Sequence, residues 1–159
     1  MIRLLDFLGE KDIKVDLGAA TKEQAIAELL AILVERGTLD PAACERVLAA
    51  VVDRERAKST GMEHGVALPH GTVRDLPEIV AAVGTSRAGI DWQTLDGRPV
   101  RIVVLVAIPQ SHWQVHVKTL AGIARLLSDT EFREALVAAR TASEAYAVLK
   151  AADEANGHA

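Results

Sequence analysis

At 159 residues the chain is long enough for one compact domain with a sizeable core and too short for two ordinary ones. Half of its residues are apolar but only 3% are aromatic, and Lys and Arg, scattered along the chain, are outnumbered to give a net charge of -4. That excludes a base-stacking platform or a continuous basic stripe, so no nucleic-acid partner is expected.

In chain order, the opening MIRLLDFLGEKDIK is broken by Asp6, Glu10 and Lys11 and has no signal-peptide core. Thr21 and Gln24 form a capping box before apolar residues at Ile26, Leu29, Leu30, Leu33 and Val34, and Gly37 supplies a stop. This pattern predicts a helix over 22–36. Asp40 and Pro41 open a second helix that buries Cys44, Val47, Leu48, Val51 and Val52, and its polar end delivers Arg54 and Glu55. The lone Cys44 has no partner for an internal disulfide and reads as a small buried hydrophobe.

Between 65 and 109 the period changes to that of strands, at Val66 to Leu68, Ile79 to Val83 and Val100 to Ile108, with a hairpin turn at Asp96-Gly97 after Trp92 to Leu95. The apolar run Ile102 to Ile108 is far too short to span a membrane, and a cytoplasmic residence is expected. From Ser111 the helical pattern returns, and capping boxes at Ser128–Glu131 and Thr141–Glu144 predict two further helices. The fold class is α/β: a single domain over 1–150 with a mixed β-sheet flanked by α-helices, and 151–159, including His158, as a frayed polar tail.

The most informative segment is GVALPHG, Gly65 to Gly71. Pro69 holds Leu68 extended and adds no donor, and Gly71 is expected to turn the chain away, leaving His70 accessible at a strand end. His116 shares a helix face with Leu120, Ile123 and Leu127, so it points inward near a helix start and is expected to meet His70. An imidazole is substantially neutral near pH 7, with a lone pair able to take a phosphoryl group, and the phosphorus–nitrogen bond it forms stays reactive for onward transfer. Arg54 offers a bidentate guanidinium to phosphate oxygens, or else offsets a helix dipole. A rival reading is metal binding, since His112 and His116 stand four apart with His64 and His70 to complete a set; the segment HWQVH lacks the glutamate of H-E-x-x-H, and no metal or cofactor is expected.

Arg54-Glu55, Ser59-Thr60-Gly61, Pro69-His70-Gly71 and a later helix-opening His116 follow, in order and spacing, the pattern of a known family. Over roughly residues 4 to 150 the chain resembles the enzyme IIA components of the fructose and mannitol type in the bacterial sugar phosphotransferase system, including the nitrogen-regulatory branch. His64 and His112 depart from that pattern and read as polar rim residues. The resemblance implies a phosphocarrier phosphorylated on His70, with Arg54 stabilising the phosphate and His116 orienting it. It also implies separate partners: a histidine-containing phosphocarrier protein as donor and an enzyme IIB component as acceptor. A membrane enzyme IIC would be met only indirectly, and no direct sugar binding is expected. A regulatory relative would use the same histidine but signal by its phosphorylation state.

Overall fold

β-branched and small residues dominate the middle of the chain, and in the computed structural model, which describes residues 3–157, they form one five-stranded mixed sheet. The strands are β1 (Ile13–Lys14), β2 (Val66–Ala67), β3 (His70–Val73), β4 (Val80–Ile90) and β5 (Val100–Pro109). The path runs β1-β4-β5-β2, and β3 follows β2 along the same edge of β5. Only β4 and β5 are antiparallel; the other pairings are parallel. β5 is apolar at nearly every position because it is paired on both sides and covered on both faces.

Alternation along the strands divides the core. Ala67, Val73, Val103, Leu105 and Ala107 face α1 (Lys22–Glu35) and α2 (Pro41–Ala57). Val66, Leu68, Val104, Val106 and Ile108 face α3 (Trp113–Leu127), α4 (Thr130–Ala138) and α5 (Ala142–Gly157). The predicted caps of the first two helices form: Thr21 accepts from the Gln24 amide at 3.3 Å, and Asp40 from the Ala42 amide at 3.0 Å.

Several expectations are corrected. The segment after Pro69 does not turn away; it resumes as β3, so His70 begins a strand. β4 runs on to Ile90 through an irregularity between Thr85 and Ile90, where Gly89 has a φ of 85°. The link from β4 to β5 is therefore a long loop over 91–99, with Gly97 at a φ of 74°, and not a tight hairpin. At 128–131 the cap is Asp129, accepting from the Phe132 amide at 3.2 Å, because Ser128 still closes α3 through the Arg125 carbonyl. Cys44 is half-buried against the core. The helix of 142–157 runs past 150, and Asp153 pairs with Arg3 at 3.4 Å; His158 lies outside the described residues.

Gly71 has a different use from the one expected. A Cβ there would lie 2.9 Å from the Ala50 carbonyl carbon and 3.0 Å from the Val51 amide, so the missing side chain lets α2 sit directly on β3. Gly71→Ala should destabilise by about 1–3 kcal/mol, because backbone on both sides cannot give way. Gly122→Ala, on α3 with nothing within 4 Å, should instead stabilise by about 0.5–1 kcal/mol. Thermal denaturation of the pair checks this; equal melting temperatures would remove the close-approach account.

Candidate functional site

His70 leads β3, in register with Val106 of β5, and is half-buried. Its Nδ1 lies 2.8 Å from the Leu68 carbonyl. A carbonyl oxygen only accepts, so Nδ1 carries the hydrogen and Nε2 keeps its lone pair. The bond is local: Pro69 holds Leu68 extended, which presents its carbonyl to the ring two residues on. Burial lowers the proton affinity of His70; the Leu68 bond and the Glu55 carboxylate act the other way, and the Arg54 guanidinium adds to the lowering. The ring thus favours its neutral form, with the lone pair on Nε2.

Arg54 and Glu55 occupy the last turn of α2, which Gly71 allows onto β3. Arg54 is half-buried and donates from Nη1 to the Lys58 carbonyl at 2.8 Å, leaving the rest of its fork free of protein partners among the described residues. Glu55 does something the sequence did not reveal. Its buried carboxylate accepts from the Thr60 amide at 3.0 Å, the Thr60 hydroxyl, Trp92 Nε1 at 2.9 Å and Lys22 Nζ at 3.4 Å. Gly61 fits beneath, where a Cβ would lie 2.5 Å from the Gln93 carbonyl oxygen. The Ser59-Thr60-Gly61 stretch is therefore the part of the loop that Glu55 ties to α2, α1 and the 91–99 segment. The only sequence signal for this was an acid beside Arg54 and a small triplet five residues on; nothing local points to Trp92 or Lys22.

His116 is buried on α3 and makes no hydrogen bond to His70 among the described residues. It packs edge-on against Phe7 and His112, each with ring centroids 6.4 Å away, in a groove of about 870 Å³ whose walls include Thr38, Glu78 and Tyr146. Burial first, and then His112, lowers its proton affinity. His116 Nδ1 is the one buried side-chain nitrogen or oxygen without a hydrogen bond among the described residues. Helical periodicity fixes the inward face of α3 but not which part of the layer beneath it receives the first turn.

His64 is elsewhere. It pairs with Glu63 at 3.7 Å, both exposed, and belongs to a pocket at the start of β5, away from the His70 end. Among the described residues no group of three or more His, Cys, Asp or Glu side chains converges as metal ligands would. None of the described helices is long and apolar enough to cross a membrane.

Comparison with known proteins bears on this geometry. The family model described as phosphoenolpyruvate-dependent sugar phosphotransferase system, EIIA 2, matches residues 6–152. The nitrogen regulatory protein of Bradyrhizobium diazoefficiens is 34% identical over 146 residues, which cover 92% of this chain and 94% of that one. The fructose-specific EIIABC component of Bacillus subtilis is 28% identical over 140 residues; the match takes in 88% of this chain but 22% of that longer protein. Among solved structures, the nitrogen regulatory protein IIA-Ntr from Neisseria meningitidis superposes with a TM-score of 0.80 at 26% identity, over 91% of this chain and 97% of that one. With its α/β sheet and a family match running nearly end to end, the chain belongs to the EIIA 2 family of the phosphoenolpyruvate-dependent sugar phosphotransferase system and is a phosphotransferase component.

Proposed function

We propose that this protein is a cytoplasmic phosphocarrier that accepts a phosphoryl group on His70 from a histidine-containing phosphocarrier protein and passes it to an enzyme IIB component in sugar uptake. The observation that carries the reading is the Nδ1 bond to Leu68, which leaves Nε2 with its lone pair on a neutral ring beside Arg54. In the transfer, a bond forms from Nε2 to phosphorus as the donor's phosphorus–nitrogen bond breaks, and the donor ring keeps that electron pair. The Nδ1 hydrogen stays on His70, shared with the Leu68 carbonyl, so no proton has to leave. Arg54 then faces a dianionic group with its free fork, and positioning with charge stabilisation is most of what phosphoryl transfer requires.

A partner must dock transiently beside this site. Trp113, Val115 and Val117, exposed on the first turns of α3, give it an apolar surface. The end of β5 that leads into α3 is paired with β3, which puts this surface at the His70 end of the sheet. The EIIABC name of the Bacillus subtilis relative groups A with B and C, in keeping with an enzyme IIB acceptor. A second reading, signalling by phosphorylation state, is favoured by the higher identity and two-way coverage of the Bradyrhizobium nitrogen regulatory protein. Phosphorylated protein mixed with enzyme IIB components distinguishes the two. Prompt loss of label to one of them supports transport, whereas retention with all of them supports signalling.

His116 takes the orienting role in this proposal. Its unpartnered Nδ1 suits a phosphoryl oxygen. His116→Ala should therefore fold and still accept phosphate, but transfer it onward about ten- to a hundredfold more slowly. The imidazole resonances of His116 should also move on phosphorylation of His70. Unchanged resonances together with unchanged transfer would confine His116 to packing against Phe7 and His112. Arg54→Ala should slow acceptance more than Arg54→Lys, which keeps the charge but not the fork.

A further inference from the structure

Arginines that are far apart in sequence converge at the opposite end of β5 from the site of His70. Five of the chain's twelve, Arg87, Arg98, Arg101, Arg133 and Arg140, line one pocket of about 800 Å³ together with His64. Arg101 stands five residues before Val106, the register partner of His70, so the pocket lies about 16 Å along the strand from the candidate phosphorylation site.

The charges there are poorly compensated. Arg98 pairs with Asp96 at 3.8 Å while remaining largely exposed, and Glu134 is the only carboxylate in the lining. The side chains of Arg87, Arg101 and Arg140 make no hydrogen bond or ion pair among the described residues. Arg133 is buried and fixed, donating to the Leu127 carbonyl at 3.0 Å and the Thr130 hydroxyl at 3.1 Å. His64 is held at a φ of 67°, with its amide donating to Asp96 at 2.9 Å. In a chain of net charge -4, gathering this many guanidiniums around one concavity carries mutual repulsion that a bound anion would relieve.

We infer that this pocket is a second binding site, for a small anion carrying at least two phosphate or carboxylate groups. Guanidiniums suit both groups because their planar fork bonds either one bidentately. The volume lies within the usual range for small-molecule sites, and the concave shape favours a small ligand over a flat macromolecular surface. Ile102 and Val137 supply an apolar wall for the ligand's uncharged part. The site is independent of the chemistry at His70.

The test titrates the isotopically labelled full chain, at fixed ionic strength, with inorganic pyrophosphate and separately with citrate, following backbone amide resonances. Saturable one-to-one shifts should appear at Arg87, at 98–102 and across 130–140. Arg101→Gln and Arg140→Gln, both at exposed positions, should each weaken binding about tenfold, as expected for the loss of one charge-assisted hydrogen bond. His70→Ala should bind as the parent does. A preference for pyrophosphate identifies phosphate as the recognised group, and a preference for citrate identifies carboxylate. Shifts confined to the surroundings of His70, affinity unchanged in the double Arg101→Gln, Arg140→Gln variant, or binding of an acidic peptide or RNA in place of both small anions would overturn the proposal.

Discussion

Replacing His70 with alanine should abolish phosphoryl acceptance, a loss on the order of a thousandfold or more, while the fold persists. The parent protein, phosphorylated by a carrier donor, should carry one acid-labile, base-stable adduct, and that adduct should be on Nε2. The regiochemistry follows from the 2.8 Å contact of Nδ1 with the Leu68 carbonyl, which commits Nδ1 to the hydrogen and leaves the lone pair on Nε2. Phosphorus–nitrogen couplings in the nuclear magnetic resonance spectrum distinguish the two positions; an Nδ1 adduct, or label on another residue, would refute the assignment. The pH dependence has a definite sign. Burial lowers the proton affinity of His70, so acceptance should be level above the ordinary histidine value of about 6.5 and fall as the pH drops below it. Stability moves in the same sense. Below about 6.5 the unfolded chain takes up a proton that folded His70 resists, so the contribution of the neutral ring is complete above that pH and lost beneath it. The adduct should be long-lived in the absence of an acceptor. His64 and Glu63, the groups between Gly61 and Thr72 able to activate water, stand apart from His70, and the Glu55 carboxylate is occupied by Thr60, Trp92 and Lys22.

What the sequence made legible was mostly local. Thr21 with Gln24 and Asp40 with Pro41 set two helix starts because a cap is decided within four residues. The apolar run from Val100 marks the central strand because a strand covered on both faces has no polar positions. Pro69-His70-Gly71 reads as a mounted histidine, and its mounting by Leu68 is again local. The misses are non-local. The sequence suggests a turn at Gly71, whereas its use is the approach of α2, which sequence neighbours cannot report. Ser128 and Asp129 compete as caps, and the winner depends on where α3 stops. The inward direction of His116 was readable from its spacing to Leu120 and Ile123, but its neighbours Phe7 and Tyr146 come from the two ends of the chain. Five arginines, on β4, the 91–99 loop, β5, α4 and the link after α4, form a pocket only once these segments are assembled.

Glu55→Ala should be the most destabilising single change at a polar position, about 3–5 kcal/mol. The carboxylate is 3% exposed and accepts from the Thr60 amide and hydroxyl, Trp92 Nε1 and Lys22 Nζ. Removing it strands donors from three segments in a site that water reaches poorly, and each buried donor without an acceptor adds a desolvation penalty. At about 2–4 °C per kcal/mol for a domain of this size, the melting temperature should drop by roughly 10 °C. Glu55→Gln separates charge from shape. An amide oxygen in the Oε1 place still accepts from Trp92 and Lys22, but the amide nitrogen in the Oε2 place meets the Thr60 N–H as donor against donor, and Lys22 loses its ion pair. An intermediate loss follows. Function should fall further than stability, because the loop that Glu55 ties down includes Lys58, whose carbonyl holds the Arg54 guanidinium at 2.8 Å. Phosphoryl acceptance measured well below the melting temperature should therefore drop in Glu55→Gln although His70 is untouched. A variant that melts lower yet accepts at the parent rate would show that Glu55 serves the fold alone and that Arg54 is positioned without it.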